Sequence, residues 1–226
     1  MHLFCPIVSE RNEILLRGIF IALEGPDGSG KSTIMKLIID YFNEKNIDFI
    51  STREPGGTVI GEEIRHIILD KKNQNMSAET EALLYAASRG QHVHEKILPA
   101  LEAGKIVITE RFILSSLAYQ GVGRGLGIEE IRMINDFAIK GLRPDLTLFF
   151  HVDPILTLKR KTEEGGDRLE KEGSSFHKRV YNGYMELLNT YTDNLQIIDA
   201  TKSIEEVFSQ SIVHIENTMK KKEGFI

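Results

Sequence analysis

The chain has 226 residues, one cysteine and a formal net charge of -5, and 27% of its residues are charged, with both signs interspersed. This length suits one domain with a full-sized core. The mixed, slightly acidic charge argues against a nucleic-acid partner, and one cysteine excludes an internal disulfide and a multi-cysteine metal site. No apolar run reaches the ~18 residues that span a membrane. We therefore expect a soluble cytoplasmic protein with no membrane partner, in which residues 1–17 form a flexible extension before a single domain, 18–226.

The first predicted elements are a strand, a glycine-rich loop and a helix. Residues 19–23 form an apolar run of strand length, and residues 33–42 are apolar on most sides over a helical length. Between them, Gly25-Pro26-Asp27-Gly28-Ser29-Gly30-Lys31-Ser32 fits the P-loop template in the context that this motif requires. Backbone N–H groups of such a loop cradle phosphates, Lys31 reaches the β- and γ-phosphates, and the Ser32 hydroxyl can bind Mg²⁺.

The rest of the chain predicts four more strands that alternate with helices. The predicted strands are 47–52, 106–109, 146–152 and 195–199. The predicted helices are 61–70, a long helix capped by Ser77 and ended by Gly104, 114–119, 128–140, 176–191 and 203–219. Asp153 and Pro154 are typical of a further helix start. This pattern predicts an α/β fold: a five-stranded parallel sheet with helices on both faces.

Three further features of the sequence are a polar stretch, a glycine-rich segment and a pair of histidines. The polar stretch at about 159–173, with arginines beside paired glycines, predicts a short lid. The glycine-rich segment 121–127 predicts a flexible loop. His92 and His94 lack the spacing and the supporting carboxylate of a metal site, so we expect both on the surface of their helix.

The carboxyl ends of the predicted strands carry charged residues. Right-handed crossovers gather these ends on one edge of a parallel sheet, where ligands of open α/β folds bind. Arg53, Glu110 and Arg111 should therefore meet the P-loop there. The alternative for Glu110 and Arg111 is a salt bridge that only ends the strand.

Seven separated motifs occur between residue 19 and the end of the chain. They are Glu24-Gly25-Pro26-Asp27-Gly28-Ser29-Gly30-Lys31-Ser32, Arg53-Glu54-Pro55-Gly56-Gly57-Thr58, Leu84-Tyr85-Ala86-Ala87-Ser88-Arg89, Glu110-Arg111-Phe112, Ser115-Ser116-Leu117-Ala118-Tyr119-Gln120-Gly121, Arg143-Pro144-Asp145-Leu146-Thr147 and Asp167-Arg168-Leu169-Glu170. Together they resemble thymidylate kinase of the bacterial type. The resemblance implies a P-loop NTPase fold, a homodimer, and the Mg²⁺-dependent transfer of phosphate from ATP to dTMP.

The same resemblance implies roles for individual residues. It places ATP on Gly25, Pro26, Asp27, Gly28, Ser29, Gly30, Lys31, Ser32 and Thr33. It places dTMP on Asp27, Arg53, Arg65, Tyr85, Arg89, Arg111, Ser116, Tyr119 and Gln120, with Tyr119 against the 2′ face of the sugar. Its catalytic residues are Lys31, Arg111 and Arg168, and its Mg²⁺ ligands are Ser32 and Glu110. Glu110 stands where the family usually has aspartate, and Tyr85 where it more often has phenylalanine.

The sequence alone leaves open which arginine acts as the finger and which class of P-loop protein this is. Arg168 is the lid arginine that the resemblance favours as an arginine finger, but the residues alone leave Arg160 equally possible. A regulatory GTPase shares the P-loop, yet no Asn-Lys-x-Asp guanine reader occurs. Another nucleoside monophosphate kinase and a deoxynucleoside kinase remain alternatives; the arginines around the acceptor favour one that already carries phosphate.

Overall fold

The computed structural model describes residues 18–153 and 167–222. The expected extension 1–17, the helix start at Pro154, Arg160 and the lid residues 159–166 therefore lie outside the described residues. All five strands of the sheet are parallel, and they are ordered β2-β3-β1-β4-β5. Their bounds are β1 Ile19–Glu24, β2 Phe49–Arg53, β3 Ile106–Glu110, β4 Leu146–His151 and β5 Leu195–Asp199. The prediction of a five-stranded parallel α/β sheet is confirmed.

Helices connect the strands in the described part of the chain. They are α1 Lys31–Glu44, α2 Val59–Leu69, α3 Ala78–His92, α4 Leu98–Glu102, α5 Ile113–Ser116, α6 Ile128–Ile139, α7 Ser174–Thr190 and α8 Ile204–Lys221. Two further segments, Val93–Ile97 and Leu117–Gly123, are π-helical. The Ser77 side chain accepts a hydrogen bond from the backbone N–H of Thr80, so the predicted cap is confirmed. Within residues 18–153 and 167–222, every helix is too short or too polar to cross a bilayer.

The sheet separates two apolar cores. Alternate residues of a strand point to opposite faces, and Ile21 of β1 belongs to one core while Phe20 belongs to the other. The first core is closed by α1 and α8, and the second by α3, α6, α7 and the π-helical segments. Burial on both faces explains why the central strands read as continuous apolar runs, and it confirms helices on both sides of the sheet.

The glycine-rich segment is the main correction to the predicted elements. Residues 117–123 form a π-helical segment, and Gly121 and Gly123 are buried. A Cβ atom on Gly123 would lie 2.7 Å from Val180 Cγ2, and one on Gly183 of α7 would lie 2.8 Å from Val122 Cβ. These glycines therefore let two segments pack closely, and the prediction of a flexible loop over 121–127 is wrong for its first half.

His92 is a second correction. Its side chain is fully buried, with Nδ1 3.0 Å from Glu54 Oε1 and Nε2 2.8 Å from Thr52 Oγ1. A polar ring is stable in the interior when both nitrogens have partners, so the prediction of a surface position is wrong for His92. His94 is exposed as expected.

Candidate active site

The P-loop occupies the turn between β1 and α1. Gly25 has φ +135°, and a Cβ atom there would lie 2.7 Å from the Phe150 carbonyl oxygen. Gly30 has φ +88° and precedes α1, and it provides no side-chain cap for that helix. Both backbone conformations favour glycine. The first N–H groups of a 14-residue helix thus face the loop without a competing side chain, which is the arrangement that binds anions.

Lys31 lies inside this loop. Its Nζ donates hydrogen bonds to the Gly25 carbonyl at 3.0 Å, the Pro26 carbonyl at 2.8 Å and Ser29 Oγ at 3.3 Å. The residue is only 4% exposed. Burial first, and the nearby Arg111 charge second, lower the pKa of Lys31 to about 7. The loop folds around the lysine, and the loop carbonyls satisfy its ammonium group.

Arg111 lies beside the loop at the carboxyl end of β3. Its backbone has φ +70°, an uncommon conformation for a side chain of this size. Its guanidinium is bonded to Asp27, and Nη1 donates to Ser115 Oγ at 2.9 Å. Tyr119 donates to the other Asp27 oxygen at 2.8 Å. The backbone and the side chain are therefore both fixed where β3 meets the P-loop.

Ser32 and Glu110 meet at the same edge of the sheet. The Ser32 hydroxyl donates to the Glu110 carboxylate oxygens at 2.9 and 3.1 Å. Oxygen atoms are the ligands that Mg²⁺ prefers, and it commonly takes only one or two from the protein. Within the described residues, no group of three or more His, Cys, Asp or Glu side chains could enclose a metal. The pair Ser32 and Glu110 fits a Mg²⁺ ion that takes its other ligands from phosphates and water.

Two further arginines converge on the turn after β2. Arg53 Nη1 and Arg65 Nη1 donate to the Pro55 carbonyl at 3.2 and 2.9 Å, and Arg53 also pairs with Glu62 at 3.0 Å. Burial and then the charge of Arg53 lower the pKa of Arg65. An anion placed between these two guanidinium groups would relieve their repulsion.

A cavity of about 270 Å³ joins these groups. It is lined by all nine residues that the resemblance assigns to the acceptor: Asp27, Arg53, Arg65, Tyr85, Arg89, Arg111, Ser116, Tyr119 and Gln120. Ser32 and Glu110 line it as well. The remaining lining residues are Glu54, Pro55, Leu69, Ser115, Asp167, Leu169 and Glu170, to which sequence reasoning gave no role in binding.

Arg89 is held at the cavity wall by a network that the sequence did not reveal. The residue is 2% exposed. Its Nε donates to Glu54 at 2.6 Å, Nη1 to Ser116 at 2.9 Å and to Asn135, and Nη2 to the Phe112 carbonyl at 2.9 Å. Burial alone would raise the pKa of Glu54, but the charges of Arg89 and His92 and their hydrogen bonds lower it. The guanidinium is therefore fixed by an ionised partner.

Arg168, the expected finger, is buried and bonded to other residues of the chain in the structure. It donates from Nη2 to Glu81 at 2.6 Å and from Nε to the Ile68 carbonyl at 2.8 Å. It is not among the residues that line the cavity. A buried carboxylate requires a cationic partner, and Glu81 holds Arg168 against α2 and α3. The catalytic role of Arg168 as a finger stays a prediction.

Glu81 is a residue that sequence reasoning missed. Its signal was present in the spacing, because Glu81, Tyr85, Ser88, Arg89 and His92 recur at the intervals of one helical face. The other polar residues on a helical face that carries two predicted site residues are candidates for the same site.

The chain is similar to known proteins over most of its length. The family model described as thymidylate kinase matches residues 23–211. The thymidylate kinase of Finegoldia magna is 64% identical over 86% of this chain and 96% of its own length, and that of Clostridium novyi is 52% identical over 86% and 96%. The crystal structure of thymidylate kinase from Ehrlichia chaffeensis is 31% identical, with a TM-score of 0.73 over 88% of this chain and 98% of that chain. The chain has a P-loop NTPase fold and belongs to the thymidylate kinase family.

Proposed function

We propose that this kinase transfers the γ-phosphoryl group of ATP to dTMP and releases dTDP and ADP. The observation that carries the proposal is one cavity, beside the P-loop, that contains four arginines: Arg53, Arg65, Arg89 and Arg111. Four cations suit an acceptor that already carries a phosphate better than a neutral nucleoside. The family match supports the same reaction.

Phosphoryl transfer depends mainly on positioning and on neutralising charge. In the proposed reaction the P-loop N–H groups hold the phosphates of ATP, and Lys31 exchanges its bonds to the Gly25 and Pro26 carbonyls for phosphate oxygens. Arg111, fixed by Asp27 and Ser115, lies between the loop and the acceptor cavity. It is therefore assigned to the acceptor phosphate and to the charge that develops during transfer.

Ser32 and Glu110 are the proposed Mg²⁺ ligands. The ion, when bound, neutralises phosphate charge that the chain's own cations leave uncompensated. Glutamate is longer than the aspartate usual at this position, but its carboxylate reaches the Ser32 hydroxyl. Glu110→Gln should raise the Mg²⁺ concentration for half-maximal activity more than it raises KM for dTMP. An unchanged Mg²⁺ titration would remove Glu110 from the metal site.

The remaining cavity residues are assigned to the nucleoside part of the acceptor. Tyr85 is proposed to stack on the base, Ser116, Gln120 and Arg89 to contact its polar edge, and Tyr119 to exclude a 2′-hydroxyl. The proposal includes a homodimer, a single domain from residue 18 onward, and a cytoplasmic location, which one cysteine in the chain suits.

An ATP-coupled assay with a panel of acceptors tests the proposal. We expect the highest kcat/KM for dTMP, lower values for dUMP, dCMP and ribo-TMP, and no turnover of thymidine. Preferred phosphorylation of thymidine would identify a nucleoside kinase instead. Hydrolysis of GTP without an acceptor would support the GTPase alternative.

A further inference from the structure

Glu81, on α3, is a fully buried carboxylate that four N–H groups surround. Gln120 Nε2 and Arg124 Nε donate to Oε1 at 3.0 and 3.2 Å, and Arg124 Nη2 and Arg168 Nη2 donate to Oε2 at 2.9 and 2.6 Å. An ionised carboxylate accepts about four hydrogen bonds and donates none. The acceptor capacity of Glu81 is thus filled by three side chains, two of which, Gln120 and Arg124, lie four residues apart.

The protonation state of Glu81 follows from these contacts. Burial by itself raises the pKa of the carboxyl group, but the hydrogen bonds from Arg124, Gln120 and Arg168 outweigh burial, and the pKa lies below its usual value. Glu81 is therefore ionised at neutral pH and can only accept hydrogen bonds.

This ionised state fixes the orientation of the Gln120 amide. Because Glu81 cannot donate, Gln120 must direct its NH₂ group toward the carboxylate, and its oxygen then points away. Within the described part of the chain, the Gln120 side-chain oxygen accepts no hydrogen bond, and no buried side-chain polar atom lacks a partner there. Gln120 lines the acceptor cavity. Its oxygen is consequently open to the cavity as a hydrogen-bond acceptor.

The same carboxylate holds a second wall of the cavity. Arg168 is bonded to Glu81, and its backbone N–H donates to the Leu69 carbonyl at 3.3 Å. Arg124, which donates to Glu81, also pairs with Glu172, and its Nη1 lies 2.6 Å from Glu172 Oε1. Both contacts fasten the segment 167–172, whose residues Asp167, Leu169 and Glu170 line the cavity.

We propose that Glu81 is a positioning residue for recognition of the acceptor base: it orients the Gln120 amide so that the cavity presents an acceptor atom, and it holds the segment 167–172 against the same cavity. The inference rests on the proposed function. A pyrimidine that carries a ring N3–H, as thymine does, donates to such an oxygen, whereas the ring N3 of cytosine is itself an acceptor. Glu81, which contacts no substrate, thereby contributes to base selection through Gln120.

The test compares Glu81→Gln with Glu79→Gln, which removes the same charge from an exposed position in the first turn of the same helix. A glutamine at position 81 lets either amide orientation form, so the ratio of kcat/KM for dTMP to that for dCMP should fall by roughly ten-fold. KM for dTMP should rise while KM for ATP stays within about two-fold. Glu79→Gln should keep the wild-type ratio.

A ratio of two acceptors does not depend on the fraction of enzyme that is folded. An unchanged dTMP to dCMP ratio in Glu81→Gln, with both activities reduced equally, would make Glu81 a purely structural residue and overturn the inference. Gln120→Met supplies a second measurement that keeps Glu81: it should lower the ratio similarly, and an unchanged ratio would also overturn the inference. If the wild-type enzyme does not phosphorylate dTMP, the proposed function fails instead.

Discussion

Lys31 is buried at the position where phosphates are expected to bind. The positive charge of its ammonium group therefore destabilises the folded protein when no phosphate is bound. Its pKa is about 7 in the folded chain and 10.5 when unperturbed. Between these pH values the unfolded state binds more protons, so the free energy of unfolding should rise with pH, by about 1.4 kcal/mol per pH unit at most. Lys31→Met should lack this rise and should not transfer phosphate.

Denaturant titrations of both proteins at pH 7, 8 and 9 measure this effect as the difference between wild type and Lys31→Met. Titrating groups that do not interact with Lys31 cancel in that difference. Equal pH slopes would show that Lys31 is not destabilised by burial.

We expect Arg168 to contribute more to the free energy of unfolding than to turnover. Arg168→Met removes one of two guanidinium partners of the buried Glu81, which should lower the free energy of unfolding by about 2 to 4 kcal/mol. A true arginine finger would instead lower turnover by roughly 10³ to 10⁵ with little loss of stability. Thermal unfolding and kcat, measured for Arg168→Met and Arg160→Met, separate the two cases. A stable Arg168→Met with turnover reduced in that range would identify Arg168 as the finger.

The predictions from the sequence name residues of the candidate site, but they do not name the side chains that hold those residues in place. The resemblance names nine residues that line the acceptor cavity, because its motifs are short segments that can be recognised one by one. Glu54 and Asn135, which fix Arg89, come from segments 35 and 46 residues away. Such pairing depends on how helices pack against the sheet, and no local pattern encodes it.

At the scale of elements, the packing of α7 against the π-helical segment 117–123 depends on small residues. Glycine in a helix interior is usually about 1 kcal/mol less favourable than alanine. Gly90→Ala in α3 should therefore stabilise, because its Cβ would lie 3.6 Å from Ala138 Cβ, an ordinary contact. Gly183→Ala in α7 should destabilise by about 1 to 3 kcal/mol, because its Cβ would lie 2.8 Å from the branched Val122.

Chemical denaturation of both variants provides a matched pair with opposite expected signs. Stabilisation of both would mean that Val122 moves aside without cost, and that the close approach of the two segments does not need glycine.

The regular elements were predictable within a few residues for a physical reason. The strands β1 and β3 are apolar runs bounded by polar or glycine residues, and Ser77 and Ser203 mark helix starts by their capping chemistry. The segment 121–127 departs from its predicted loop because glycine permits both flexible loops and close packing. Only the tertiary contact with Val180 and Phe176 distinguishes these alternatives.

At the scale of the whole molecule, three neighbouring helices, α2, α3 and α6, expose large apolar side chains. They are Val59, Ile60, Ile67, Leu83, Met133 and Phe137, of which Phe137 is 89% exposed. Contiguous exposed apolar residues are typical of an interface. In the proposed homodimer, Leu83→Glu with Phe137→Glu should therefore convert the protein to a monomer.

Sedimentation velocity checks this prediction at several protein concentrations. Val213→Glu, which replaces an exposed apolar residue of α8 near the opposite face of the sheet, should leave the dimer intact. A dimer that survives the double substitution would place the interface elsewhere.

The measurement that tests the account most directly is the stoichiometry of phosphoryl transfer. The purified chain is incubated with Mg²⁺, ATP labelled in its γ-phosphate, and dTMP, and the nucleotides are separated and counted. Our account predicts one labelled dTDP for each ADP formed, and no ADP when dTMP is left out. ADP released with free labelled phosphate, whether or not dTMP is present, would contradict it.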